Sequence, residues 1–182
     1  MRRHPSLCRW VCVKMEYLVL SDSHGRADLV DRALEVQLRA PDAVLFLGDG
    51  IRDLRVLEYQ DICVRPVRGN CDFYTLFEGQ SAPEQALVEV GAYRILMMHG
   101  HTHGVKGGME RAVAFAAQAE ADVLLYGHTH LPRQEWLDAG ERFAGQELKK
   151  PLLVCNPGAL QDGRFGTLTV SNQGILFGFG TL

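Results

Sequence analysis

The sequence contains no apolar run near the roughly 18 residues that cross a bilayer, no C-x-x-C pair, no internal repeat, no low-complexity segment and no excess of positive charge. Each absence removes a class of protein. The lack of a long apolar run argues against a membrane protein. The stretch Leu7 to Val13 is broken by Arg9 and lacks a small-residue cleavage site, so it does not read as a secretory signal. The five cysteines, Cys8, Cys12, Cys63, Cys71 and Cys155, are odd in number, the pattern of reduced thiols in a cytoplasm. Residues 1–14 read as an irregular N-terminal arm, with Met15 as the natural start and residues 15–182 as one domain.

Charge points away from nucleic acid. Lys and Arg number 19 and Asp and Glu 22. Arg2, Arg3, Arg9 and Lys14 put four of the positive charges in the first fourteen residues, with no acid among them, so the rest holds 15 positive against 22 negative. Affinity for nucleic acid rests on cationic contacts to phosphate, which an acidic body supplies poorly. Small substrates are favoured, and a homo-oligomer is compatible.

What is present is an ordinary globular composition, 182 residues with 47% hydrophobic and 23% charged. A chain of this size buries roughly 70% of its unfolded surface, so no metal is needed to hold the fold. A metal here would serve chemistry.

From Tyr17 the pattern alternates between short apolar runs and helical periodicity. Tyr17 to Leu20 reads as a compact apolar strand, Ala43 to Leu47 as a buried strand and Ile62 to Val67 as a third strand, Pro66 weakening its end. Leu29, Val30, Ala33, Leu34 and Leu38 recur at helical spacing until Pro41, and Ile51 to Tyr59 forms a second helix. This β-α-β-α-β order is that of a parallel sheet with crossover helices. Gln85 to Val90 and Tyr93 to Met98 then read as a hairpin, Met109 to Ala121 as a helix and Asp122 to Tyr126 as a strand. Strands near 133–137, 152–155, 166–170 and 175–179 give the C-terminal half an antiparallel character, and residues 141–150 read as a surface loop. The class is α/β, one domain with mixed sheets.

In open α/β sheets ligands gather at the carboxyl ends of the strands. Those ends carry Asp22 and His24, Asp49, Asn70, His99, and His128 with His130: seven oxygen or imidazole donors at five strand ends. Singly, Asp22 and Asp49 are equally readable as helix N-caps and Asn70 as a turn residue. Gly127-His128-Thr129-His130 is different, because two imidazoles two residues apart beside a glycine suit a metal chelate. Three donors suffice for one open catalytic ion, so seven suggest two divalent ions, with the Asp49 carboxylate as the natural bridge. Two such ions share a hydroxide and stabilise the attacking and leaving oxygens of an in-line displacement. Offset by two carboxylates and a hydroxide, they leave a net positive cleft suited to a phosphate ester.

Asp22-x-His24, Gly48-Asp49, Gly69-Asn70, His99 and Gly127-His128-x-His130, in this order, resemble the calcineurin-like metallophosphoesterases. Asp22-Ser23-His24-Gly25, Gly69-Asn70-Cys71-Asp72, His99-Gly100-His101 and Asn156-Pro157-Gly158 resemble in particular the small prokaryotic phosphodiesterases of the YfcE-like group. The resemblance covers residues 16 to 182 and implies a four-layer α/β/β/α sandwich with two mixed β-sheets. It implies one metal on Asp22, His24, Asp49 and His130 and a second on Asp49, Asn70, His99 and His128, with Asp49, Asn70 and His99 nearest the chemistry. Mn(II) is the metal it implies; a set without thiolate also admits Ni(II), Fe or Zn(II). The implied reaction is hydrolysis of small phosphate diesters. A phosphomonoesterase, a nucleotide pyrophosphatase on the same centre, or a protein-binding scaffold with the same fold are the alternatives.

The sequence also departs from the wider family. Many members carry His directly after Gly-Asn, placed to protonate the leaving alkoxide, whereas this chain has Cys71. A thiol with an ordinary pKa of about 8.5 is a poor substitute, so diesters with good leaving groups are expected. Ala159 follows Asn-Pro-Gly where the group often has Ser. Arg26 and Arg164 are candidates to reach a phosphate oxygen, and Cys71 and His101 to contact substrate.

Overall fold

A computed structural model describes residues 14–182, so the expected N-terminal arm lies, apart from Lys14, outside the described residues. The chain runs through β1 (Met15–Leu20), α1 (Ala27–Glu35), β2 (Ala43–Phe46), a 3-10 helix (Ile51–Leu57) and β3 (Cys63–Pro66). A short hairpin of β4 (Leu76–Phe77) and β5 (Gln80–Ser81) leads into β6 (Gln85–Val90) and β7 (Tyr93–Met98), which pair as the expected hairpin. Next come α2 (Glu110–Gln118), β8 (Val123–Tyr126), β9 (Arg133–Leu137), a second short hairpin of β10 (Arg142–Phe143) and β11 (Gln146–Glu147), and β12 (Leu152–Asn156). The chain ends in β13 (Arg164–Ser171) and β14 (Gly174–Thr181).

Two five-stranded mixed sheets result. In the first, ordered β14-β13-β1-β2-β3, the three N-terminal strands are parallel and the C-terminal pair antiparallel. In the second, ordered β6-β7-β8-β12-β9, β7, β8 and β12 are parallel and flanked by antiparallel edges. Strand alternation explains the layering. Val19, Leu45, Met97, Leu125 and Cys155 point between the sheets. Their neighbours Leu18, Leu20, Val44 and Phe46 face α1 and the 3-10 helix, and Leu96, Met98, Leu124 and Val154 face α2. These strands, buried on both faces, read in the sequence as continuous apolar runs for that reason. The α/β class with mixed sheets is that expected from the sequence pattern, and the α/β/β/α layering is that implied by the family resemblance. Among the described residues no helix is long and apolar enough to cross a membrane.

Several local expectations shift. Helix α1 stops at Glu35, short of the fully exposed Leu38. The Gln37 side chain donates to Ala33 O at 2.6 Å and so satisfies a carbonyl of the last turn that a longer helix would have used. The helix expected over 51–59 is 3-10 and ends at Leu57. The loop expected over 141–150 contains the β10–β11 hairpin, with Leu148 buried and Phe143 packed under α2. Strands of two residues have no periodicity to read.

Candidate metal centre

All seven donors stand where strands end, and the backbone there is unusual. Asp22, His24, Asp49, His128 and His130 have φ between 45° and 66°. Non-glycine residues adopt this left-handed region at a cost, and such residues cluster at functional sites. The conformation is held by cross-loop bonds: Asp22 N–H donates to Gly48 O at 2.9 Å, His24 N–H to Asp49 O at 3.1 Å and Gly127 N–H to His99 O at 3.2 Å. A side chain at Gly127 would place Cβ 2.0 Å from Ser21 Oγ. Only glycine, with no Cβ, lets the 127–130 loop approach Asp22.

The expected donors meet in two groups, Asp22 with His24 and His130, and Asp49 with His99 and His128, and a third group joins His24 and Asp49 with Cys71. In the first, Asp22 Oδ1 lies 3.1 Å from His130 Nε2 and 3.8 Å from His24 Nε2, and the two Nε2 atoms are 3.4 Å apart. In the second, His99 Nε2 lies 3.3 Å from Asp49 Oδ2 and 3.1 Å from His128 Nδ1. Asp49 Oδ2 is also 3.9 Å from His24 Nε2, so one carboxylate oxygen faces both groups. Neither expected N-cap role is filled, since α1 and the 3-10 helix have no side-chain cap bond.

This donor set suits divalent cations. Asp22 is fully buried, and its Oδ1 has no hydrogen-bond partner although Oδ2 accepts from Ser21 Oγ at 2.5 Å and His128 N–H at 3.1 Å. A buried carboxylate oxygen with no hydrogen bond, and with only the His130 and His24 imidazole nitrogens at 3.1 and 3.8 Å beside it, is costly unless a cation faces it. His99 Nδ1 donates to Leu47 O at 2.7 Å, which turns its Nε2 toward Asp49 and His128. Ligating imidazoles are typically oriented by such a bond from the other ring nitrogen.

Burial alone would raise the Asp49 carboxyl, but the hydrogen bond and charge of His99 outweigh it and hold the group well below the usual range. Burial alone would likewise lower His99, but Asp49 and Asp22 overcome it and raise the group. Burial and the nearby His99 charge push His128 down to about 4. Burial and an S–H hydrogen bond to Asp49 push the Cys71 thiol up to about 11.

The other expected site residues fare unequally. Asn70 is exposed, its amide nitrogen donating to Cys71 Sγ at 3.3 Å, and it adjoins the Cys71 N–H that donates to Asp49 Oδ1 at 2.7 Å. Cys71 faces His24 and Asp49. His101 packs near His99, ring centroids 5.4 Å apart, with Nδ1 buried and unpartnered. Arg26 is tied to Asp28 by two bonds of 2.9 and 2.8 Å, and Arg164 lies at the start of β13 with its stem beside Gly158; neither lines the cleft at the centre.

Residues outside the expected set organise this centre. The buried Asp72 carboxylate accepts four backbone N–H groups, from Asp49, Gly50, Ile51 and Gly69, at 2.7 to 3.0 Å. Asp53 accepts Ser23 Oγ at 2.5 Å and Gly25 N–H at 2.9 Å. Asn156 bonds Gly127 O, Thr129 Oγ1 and Gly158 N–H. A cleft of about 370 Å³ opens beside His24, Asp49 and Cys71, and Arg52 lines it with Asp72 and Thr75. The acids Asp53 and Asp72 are occupied by internal donors, whereas Arg52 makes no ion pair among the described residues. An aspartate just past a Gly-Asn turn was the available signal for Asp72; nothing in the sequence separated Arg52 from other surface arginines.

The fold and this centre are those of a metal-dependent phosphoesterase, and the chain belongs to the calcineurin-like phosphoesterase superfamily, whose family model matches residues 15–172. It is 28% identical over 165 residues to the probable metallophosphoesterase YsnB of Bacillus subtilis, covering 87% of this chain and 86% of that one. It is 31% identical over 150 residues to the phosphodiesterase YfcE of Escherichia coli, covering 71% and 76%. The crystal structure of a predicted phosphoesterase from Streptococcus pneumoniae superposes with a TM-score of 0.68 at 26% identity, over 93% of this chain and 90% of that one.

Proposed function

We propose that the protein is a phosphodiesterase acting on small phosphate diesters through two divalent ions. The observation that carries this reading is Asp49 Oδ2, which faces His24 on one side and His99 on the other and so has the position of a bridge between the two donor groups. Asp22, His24, Asp49 and His130 would hold one ion, and Asp49, His99, His128 and Asn70 the other, the Asn70 assignment resting on the family resemblance. Such ions supply Lewis acidity, an activated water and neutralisation of phosphate charge. Mn(II) is the proposed metal, and Ni(II), Fe and Zn(II) suit the same imidazole and carboxylate donors.

The chain's own residues do the rest. Ser21 and the His128 N–H fix one oxygen of Asp22 and leave the other free. Leu47 O sets the tautomer of His99. Asp72 locks the Asp49 and Gly69 loops against one another and so fixes the bridging carboxylate. Arg52 takes the phosphate-contacting role expected of Arg26 and Arg164, because it lines the cleft and its charge is uncommitted. Cys71 stands where a general acid would stand, with its proton held tightly. Diesters whose leaving group needs no protonation are therefore the favoured substrates. The described cysteines are free, which supports a reducing, cytoplasmic setting.

The test is hydrolysis of chromogenic mono- and diesters by metal-free protein after addition of Mn(II), Ni(II) or Zn(II). Metal-dependent turnover that favours diesters is expected. Absence of turnover with every metal, together with tight binding of a protein partner, would replace this reading with the scaffold one.

A further inference from the structure

Two exposed aromatic side chains, next in the chain to the cleft-lining Asp72 and Thr75 but not themselves lining the cleft, have no part in holding the donors or the core. Phe73 is 66% and Tyr74 92% exposed, with ring centroids 6.1 Å apart, and neither belongs to a buried cluster. Exposed apolar residues are common and singly mean little. The place of this pair is what matters. It is bracketed by Asp72 and Thr75, both buried and both lining the cleft that holds His24, Asp49 and Cys71. The backbone beneath it is fixed, by the four N–H bonds to the Asp72 carboxylate and by Thr75 N–H donating to Asp72 O at 2.9 Å. Phe73 is steadied further by the Arg68 guanidinium, 5.7 Å from its ring centroid and itself bonded to Glu84 at 2.7 Å. At that distance a guanidinium is drawn to the face of an aromatic ring. Two rings held on a rigid base and left in water are a prepared stacking surface.

We infer that Phe73 and Tyr74 form a specificity subsite for a flat heteroaromatic ring on the substrate, and that the natural ester is therefore a small nucleotide. This rests on the phosphoesterase reading and narrows its substrate class. The cleft beside the centre measures about 370 Å³, near the lower end of small-ligand sites. A phosphate and a sugar would occupy it, and the base would have to extend past Asp72 and Thr75 to meet Phe73 and Tyr74. The excess of acidic over basic residues, 22 against 19, disfavours a polynucleotide and leaves the mononucleotide scale.

The experiment is calorimetric titration of the Mn(II)-loaded protein with adenosine 5′-monophosphate and with ribose 5-phosphate, which differ by the base alone. The nucleotide is expected to bind about tenfold more tightly, the size of one base-stacking contact. Tyr74→Ala and Phe73→Ala each remove most of that preference without changing the affinity for ribose 5-phosphate, and Tyr74→Trp restores it. Equal affinities in the wild-type protein, or a preference that survives both alanine variants, would overturn the subsite. Hydrolysis of bis(p-nitrophenyl) phosphate by the same wild-type sample separates the two levels. Turnover without base preference removes only the subsite, whereas no turnover with any metal removes the enzymatic reading and the subsite with it.

Discussion

His99 Nε2 and His128 Nδ1 lie 3.1 Å apart, yet their surroundings shift the two imidazoles in opposite directions from the ordinary value, His99 up and His128 down. His99 holds its proton against Asp49, and His128, beside that charge, is pushed down to about 4. The proton on His99 occupies the place a cation would take.

Metal uptake should therefore release protons. The folded pKa of His99 is raised above its ordinary 6.5, so more than half of the molecules carry the proton at pH 6.5 and it is lost as pH rises through the folded value. The stabilisation it gives the metal-free fold is complete below the ordinary value and fades in the same direction. Calorimetry in buffers of different ionisation enthalpy should show proton release at pH 6.5 that declines at higher pH, with metal affinity rising in parallel. Uptake with no proton release at pH 6.5 would contradict the shift.

Asp72 is expected to be a stability residue as much as a site residue. Asp72→Ala strands the four N–H groups that now share one carboxylate. Bonds to charged groups contribute about 1.5–3 kcal/mol each and are not additive, so a loss of at least about 3 kcal/mol is expected. Chemical denaturation of the metal-free variant measures this; a loss under about 1 kcal/mol would mean the loop is held by other contacts.

The Cys71 position sets leaving-group preference. Cys71→His places a group of ordinary pKa near 6.5 where the thiol is pushed up to about 11. General acid catalysis contributes about 10²–10⁴-fold where protonation limits the rate. Turnover of diesters with alkyl leaving groups should rise by about tenfold or more, and that of p-nitrophenyl diesters should stay within about twofold. Equal effects on both would exclude a role in leaving-group protonation.

Arg52, Arg26 and Arg164 make a comparison within one chain. Arg52→Ala should raise KM for phosphate esters about tenfold, the size of one charge-assisted bond. Arg26→Ala, which removes only the pair with Asp28, and Arg164→Ala should leave it within about twofold, as exposed surface changes do. Steady-state kinetics on the three variants decides the assignment.

The mixed α/β class was legible because the central strands β1, β2, β7, β8 and β12 are largely buried on both faces and read as short apolar runs. The four-layer sandwich followed from the resemblance carried by the seven donors at the strand ends. The side chains of Asp22, His24 and His130 converge, as do those of Asp49, His99 and His128. What escaped was contact-determined. Asp72 acts through backbone N–H groups of two loops, and Arg52 differs from Arg26 in lacking a neighbour like Asp28. The β10–β11 hairpin is too short for a pattern. Leu38 fitted the helical period of α1, but the Gln37 side chain closes the helix before reaching it.

The central claim is that Asp49 joins two metal positions. Elemental analysis of protein equilibrated with Mn(II) and freed of excess metal tests it most directly. Two ions per chain in the wild type, and loss of the pair in Asp49→Ala with the fold retained by circular dichroism, are expected. A single ion per chain in the wild type, or two ions still bound in Asp49→Ala, would contradict it.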